Sequence, residues 1–157
     1  MIRMTKQTDY GFVLLSHLAN EAAGEANAPE LAAETKLPLP MVSKILKLLV
    51  RQGLLASHRG VKGGYSLARP ASAITAAEIL KALEGPVALT VCIEGSPGEC
   101  EHEHYCTVRG PWQRINREIF NALEGVTLAD LAAPAGGAPR LVQLGQRAGV
   151  AGSPAES

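Results

Sequence analysis

Leu39-Pro40-Met41-Val42-Ser43-Lys44-Ile45-Leu46-Lys47-Leu48-Leu49-Val50-Arg51-Gln52-Gly53 reads as one amphipathic helix with both ends marked. Val42, Ile45, Leu46, Leu49 and Val50 recur at helical spacing, while Ser43, Lys44, Lys47 and Arg51 occupy the other side. Pro40 suits a first turn, where a missing N–H costs nothing, and Gly53 stands where a helix commonly ends. Downstream, the runs Leu54–His58 and Tyr65–Ala68 flank Arg59-Gly60-Val61-Lys62-Gly63-Gly64, which predicts a β-hairpin closed by Pro70. Upstream, residues 28–35 predict a short helix with Pro29 in its first turn and Leu31-Ala32 facing inward, broken at Lys36-Leu37-Pro38. Residues 5–20 predict a helix whose inner stripe is Tyr10, Val13, Leu14, His17 and Leu18. Helix, tight turn, amphipathic helix and basic hairpin together make the winged form of a helix-turn-helix.

Charge points to the same partner. The chain of 157 residues carries 15 basic and 15 acidic side chains, but they are unevenly spread. Residues 36–69 hold seven basic residues and no acid: Lys36, Lys44, Lys47, Arg51, Arg59, Lys62 and Arg69. Such a segment fits a polyanion, and with a helix-turn-helix the polyanion is double-stranded DNA. The bland alternative is an ordinary solvated face. Residues early in the second helix of such a pair reach base edges, which makes Pro40, Met41, Ser43 and Lys44 the candidates there. Lys47 and Arg51 lie further along and suit phosphates, which position without specifying sequence. The hairpin adds Arg59 and Lys62 at its tip, and Gly63 and Gly64 permit close approach to a backbone. An arginine on such a tip fits a narrow minor groove.

Beyond the hairpin, Thr75-Ala76-Ala77-Glu78 is a capping box opening a helix with Ile79, Leu80 and Leu83, which ends at Gly85-Pro86. A further helix is expected from Pro111 to Glu124, with Trp112, Ile115, Ile119, Phe120 and Leu123 along one face. Gly125 ends it, and Thr127-Leu128-Ala129-Asp130 caps one more turn. Residues 133–157, rich in Gly, Ala, Pro and Ser, read as a disordered tail.

Composition excludes several classes. The longest apolar run falls far short of about 18 residues, so no membrane span is expected. Met1 to Asp9 contain no apolar run of secretory type, and the reading is cytoplasmic, with the nucleoid as the place of action. Aromatic residues are only 4% of the chain, so aliphatic side chains must build the core.

The three cysteines, Cys92, Cys100 and Cys106, fall within fifteen residues in a Gly-, Pro- and Glu-rich stretch. An odd cluster in a reducing compartment is a poor disulfide framework and a better metal or redox site. Thiolates favour zinc or the iron of iron–sulfur clusters. The spacing, with seven and five residues between cysteines, is neither a tight zinc knuckle nor a common ferredoxin pattern, so chemistry alone does not choose. His102 and His104 lie in the same loop, and Asp9 is a distant candidate for a fourth position. Each has a bland reading: solvated loop histidines, and an aspartate that merely caps the first helix.

At this point the sequence resembles the IscR-like winged-helix regulators, bacterial transcription factors that bind iron–sulfur clusters. The resemblance rests on Thr8-Asp9-Tyr10-Gly11, the helix-turn-helix, the wing from Arg59 to Arg69, Ile79 through Glu84-Gly85-Pro86, the three cysteines and Trp112-Gln113-Arg114-Ile115-Asn116. It covers residues 1–132 and is nearest the branch of SUF-system iron–sulfur assembly regulators. It implies a mainly α fold: a winged helix-turn-helix with a two-stranded wing and a C-terminal dimerisation helix. The corresponding divisions are 1–85 for DNA binding, 86–107 for the cluster loop, 108–132 for the dimerisation helix with a short following helix, and 133–157 for the tail. It implies a homodimer and a [2Fe-2S] or [4Fe-4S] cluster held by Cys92, Cys100 and Cys106, whose presence changes DNA affinity. A well-known relative has a histidine three residues after its last cysteine, where this chain has Arg109. Nitric-oxide-sensing relatives use an N-terminal aspartate supplied by the partner subunit, and Asp9 matches that position, which ranks it above His104 and His102.

The rival readings are an iron- or nitric-oxide-responsive repressor of the same family, a winged-helix regulator with structural Cys3His zinc, and a protein-interaction adaptor. A small thiol oxidoreductase is the rival from another class. It lacks a C-x-x-C pair, has no use for the basic wing, and is not preferred. No enzyme activity and no small-molecule substrate are expected.

Overall fold

The computed structural model describes residues 3–20, 24–61, 63–90 and 105–134. In chain order these form α1 (Lys6–Asn20), α2 (Ala28–Thr35), α3 (Leu39–Arg51), β1 (Leu55–Ser57), β2 (Tyr65–Leu67), a 3-10 turn (Ala71–Ala73), α4 (Ala76–Glu84), α5 (Arg109–Glu124) and α6 (Leu128–Ala132). The architecture is mainly helical with one antiparallel two-stranded sheet, a winged helix-turn-helix.

Local chemistry sets these boundaries. Asn27 caps α2 and Glu30 reaches back to it, a capping box that joins Pro29 in starting the helix. Lys36 closes α2 at φ 56, in the left-handed region, and turns the chain into α3. Pro38 precedes α3 without a side-chain cap, and Gly53, at φ 73, ends it as the N–H of Leu54 returns to the carbonyl of Leu49. Thr75–Glu78 and Thr127–Asp130 form the two remaining capping boxes. A cap of this kind stabilises by about 1 kcal/mol.

The core is aliphatic, as the scarcity of aromatics requires. Leu14 and Leu15 of α1, Leu31 of α2, Val42, Ile45, Leu46 and Leu49 of α3, and Ile74 and Ile79 around α4 are fully buried together. Leu128 of α6 joins the same cluster. The chain therefore returns to this core after α5. The N–H of Ala76 donates to the carbonyl of Val126 (2.8 Å), and the N–H of Leu128 donates to that of Ile74 (2.8 Å).

Two faces depart from expectation. In α1 the buried positions are Thr8, Gly11, Leu14, Leu15 and Leu18; Val13 is 41% exposed, and Tyr10 and His17 are half-buried. The inner face is rotated because α4 approaches closely where α1 is small: a Cβ on Gly11 would overlap the side chain of Leu83. The first turn of α1 is capped by Thr5, whose hydroxyl accepts from the N–H of Thr8 (3.2 Å), so Asp9 is not the cap. In α5, which begins at Arg109, Trp112 (38%) and Ile115 (46%) are exposed, while Asn116 is buried.

Candidate nucleic-acid interface and cysteine segment

α3 divides cleanly. Its buried side is Val42, Ile45, Leu46 and Leu49; Pro40, Lys44, Lys47 and Arg51 follow one another along the exposed side at helical spacing. Ser43 and Met41 are half-buried on the shoulders, and Met41 packs against the core. The helix itself contains no acid, so the three cations have no acidic neighbour along α3. A groove of ≈ 380 Å³ lies between this helix and the hairpin, lined by Lys47, Val50, Arg51, Ser57 and Tyr65.

The hairpin pairs Leu55 with Leu67, Ala56 with Ser66 and Ser57 with Tyr65. Beyond the strands, His58 and Gly64 exchange backbone hydrogen bonds of 2.8 and 3.1 Å, and the N–H of Gly63 reaches the carbonyl of Gly60 (2.9 Å). Val61 is fully out in solvent at the tip, Arg59 is exposed there, and Lys62 lies outside the described residues. Gly60 adopts φ 127, which L side chains avoid. Gly63 and Gly64 have a different cause. A Cβ on Gly63 would stand 2.6 Å from the carbonyl oxygen of His58, and one on Gly64 would stand 2.9 Å from that of Ala26. Both glycines therefore serve close packing of the protein on itself.

That packing holds a connection the sequence did not reveal. Tyr65 and Ala26 exchange N–H···O bonds of 2.9 and 3.1 Å, which ties β2 to the residue just before the Asn27 cap of α2. The wing is thereby held to the helix-turn-helix from both sides. The imidazole Nε2 of His58 lies 2.8 Å from the hydroxyl of Ser66 and 3.2 Å from Glu25. In space the basic segment is not free of acids, because Glu25 and Glu30 line a pocket with Val61, Gly63 and Gly64. Among the described basic residues, Lys36 has a structural role through its backbone and Arg69 through its side chain. Lys36 closes α2, and Arg69 donates to Glu78 (2.9 Å) and to the carbonyl of Ala73 (3.1 Å). The carboxyl of Glu78 sits below the usual carboxylate range, chiefly because it accepts the Thr75 N–H and secondarily because Arg69 faces it.

Of the metal-site candidates, Cys92, Cys100, His102 and His104 lie outside the described residues. Cys106 is half-buried with a free thiol just ahead of α5, and the N–H of Arg109 meets its carbonyl at 3.5 Å. Asp9 is exposed in the first turn of α1. Among the described residues no three His, Cys, Asp or Glu side chains gather into a metal site. The thiolate donor set nevertheless suits an iron–sulfur cluster or zinc, and described residues on either side of the 91–104 segment adjoin α5. Ahead of it, the amide of Asn116 donates to the carbonyl of Val87 (3.0 Å) and accepts from the N–H of Leu89 (3.2 Å). Behind it, two residues separate Cys106 from α5, whose first N–H, that of Arg109, meets the Cys106 carbonyl at 3.5 Å. Both feet of the cysteine segment thus stand on one helix. No sequence signal marked Asn116 as that anchor, since a polar residue beside Ile115 reads as solvent-facing.

Among the described residues, no helix is long and apolar enough to cross a membrane. Residues 4–134 match the Rrf2 family, described as iron-dependent transcriptional regulators. An HTH-type transcriptional regulator of Mycobacterium tuberculosis is 33% identical over 133 residues, covering 83% of this chain and 81% of the relative. Among solved structures, CymR, the global cysteine regulator of B. subtilis, matches with a TM-score of 0.67 and 28% identity over 84% of this chain and 97% of its own. IscR of T. potens matches with a TM-score of 0.63 and 25% identity, covering 83% and 85%.

Proposed function

Since the chain belongs to the Rrf2 family of transcriptional regulators, we propose that it is a homodimeric DNA-binding regulator that senses iron–sulfur cluster status and controls genes of SUF-type cluster assembly. The protein acts in the cytoplasm, on the nucleoid. The observation that carries the sensing part is the anchorage of the cysteine segment on α5 at both of its ends.

In this reading residues 1–85 bind DNA. Pro40, Met41, Ser43 and Lys44 stand nearest the base edges, Lys47 and Arg51 meet phosphates, and the wing brings Arg59 and Lys62 to the minor groove, with Gly63 and Gly64 shaping it. Residues 108–132 carry the dimer contact, because Trp112 and Ile115 are large apolar side chains left exposed on α5. Cys92, Cys100 and Cys106, in the 86–107 loop, would hold the cluster, with Asp9 ranked first, then His104 and His102, for the remaining position. When bound, the cluster supplies a centre that is labile to oxygen, nitric oxide or iron shortage. The chain's own part is mechanical. Asn116 keeps the loop on α5, α5 packs on α4, and α4 packs on α1 and α3, so the state of the loop bears on the helix that meets DNA. DNA affinity changes only to the extent that DNA binds the two states differently.

The test is anaerobic purification, followed by visible absorption and by iron and acid-labile sulfide assays on the same sample. A brown protein with both elements supports the reading. A colourless protein that refuses reconstitution and carries zinc overturns the sensing part and leaves a regulator with a structural metal. The likeness to CymR favours one second reading, a regulator of cysteine supply that needs no cluster. Specific DNA binding that responds to thiol metabolites and is unchanged in the Cys92→Ala, Cys100→Ala and Cys106→Ala variants would establish that reading instead.

A further inference from the structure

We propose that Pro40, with Leu39 beside it, reads the 5-methyl group of a thymine in the major groove. The inference rests on the DNA-binding reading above and adds the base chemistry that the recognition helix selects. The leading turn of α3 is apolar at its surface: Pro38 and Pro40 are exposed, and Leu39 is 43% exposed. None of these side chains, nor that of Met41, has a hydrogen-bonding donor or a strong acceptor, and the prolines lack an N–H. The N–H groups of Met41 and Val42 are already committed to the carbonyl of Pro38, each at 3.0 Å. The first side chains able to bond a base edge are Ser43, half-buried, and Lys44.

Pro40 is the apolar member of the exposed face that continues through Lys44, Lys47 and Arg51. Cations that engage the phosphates and groove walls therefore bring a nonpolar ring in first. Against a polar base edge such a ring strips water and returns nothing. The major groove offers one apolar feature, the thymine methyl, and contact with it is the favourable match for a side chain of this kind. Leu39 stands on the Ser43 shoulder and widens the apolar surface around the same spot.

The experiment uses the full chain. Duplexes are enriched from a random-sequence pool by the wild-type protein, and each thymine of the enriched site is then replaced in turn by uracil. The replacement removes only the methyl. The expected result is one thymine in each half-site whose replacement weakens binding about fourfold, the loss that goes with one unburied methyl. In Pro40→Ser that dependence disappears, while Lys44→Ala binds thymine and uracil duplexes more weakly but keeps their ratio. A flat uracil scan on the wild-type protein overturns the proposal whether or not the serine variant folds. So does a methyl dependence that survives in a folded Pro40→Ser protein, since another residue then reads it. A pool that yields no enriched site refutes sequence-specific DNA binding itself, and the inference falls with it.

Discussion

The hydroxyl of Thr8 donates to the carboxylate of Glu84, joining the first turn of α1 to the last residue of α4 across 76 positions of chain. The N–H of Thr5 adds a second bond to the same oxygen (2.9 Å). The two short motifs Thr8-Asp9-Tyr10-Gly11 and Glu84-Gly85-Pro86 are thus one structural unit: threonine meets glutamate, and glycine makes room for Leu83. Because Asp9 follows Thr8 directly, the same latch holds in place the proposed ligand of the first helix.

This latch gives stability a definite pH dependence. The Glu84 carboxyl lies below the usual value of 4.5, first because of the Thr8 hydroxyl and then because of the Thr5 N–H. A carboxyl depressed by folding contributes stability that is complete above its unfolded value and is lost as pH falls through the folded one. Thr8→Val removes the principal donor and should cost about 1–2 kcal/mol near neutrality. Thermal melts from pH 7 down through the carboxylate range should show the gap between wild type and variant shrinking with acidification. A gap that stays constant would assign the loss to packing alone.

Gly64→Ala should detach the wing without unfolding the helices. The new methyl would press on the backbone of Ala26 and Asn27, which cannot swing aside as a flexible side chain does. The expected cost is about 1–3 kcal/mol, typical of overpacking. DNA affinity should fall by more than the global stability loss predicts. Amide exchange would show opening at Ala26 and Tyr65 while α3 stays protected; uniform opening would contradict this local effect.

Asn116→Ala should loosen the approach to the cysteines. It removes two hydrogen bonds from a buried site and strands the Val87 carbonyl and the Leu89 N–H, at about 1–3 kcal/mol. Iron content after anaerobic reconstitution should drop in the variant while helicity by circular dichroism is retained. Full iron loading with normal stability would show that the segment needs no such anchor.

Ile115→Glu should break the proposed dimer and leave the protomer folded, because Ile115 is already 46% exposed within one chain. A charge at the centre of an apolar contact costs several kcal/mol once desolvated, about 3–5 where it stays unpaired. Sedimentation at micromolar concentration should then report a monomer, and circular dichroism should show the wild-type helicity retained. A variant that still sediments as a dimer would place the contact elsewhere.

Some of this structure was legible from the sequence and some was not, for physical reasons. α3 and the hairpin were readable because large aliphatic residues and cations separate sharply at helical spacing, and because Gly-rich turn chemistry stands between two extended runs. α2, α4 and α6 announced themselves through proline or threonine at their starts. The inner face of α1 was misread because a search for large apolar residues overlooks a helix seated on Thr8 and Gly11, where the neighbour supplies the bulk. The Ala26–Tyr65 link was invisible because a bridge of one residue has no alternation to detect. Glu25 and Glu30 escaped the charge count because they lie outside the acid-free stretch and reach the wing only through folding. The stripe expected on α5 turns inward only in part: Ile119, Phe120 and Leu123 are half-buried, Trp112 and Ile115 find no cover within the described part of one chain, and the buried position falls to Asn116.

The return of the chain to its starting body has a consequence for cleavage. α4 and α6 are both embedded in the core shared with α1, and Asn20 Nδ2 bonds the carbonyl of Ala132 (2.9 Å). The stretch between them is a handle with both roots in the same block. A break in the chain between α4 and α5 should therefore release neither piece, because each keeps its own root in the core. The two pieces should elute together under native conditions and part only in denaturant, so an intact mass on a sizing column is no proof of an intact chain.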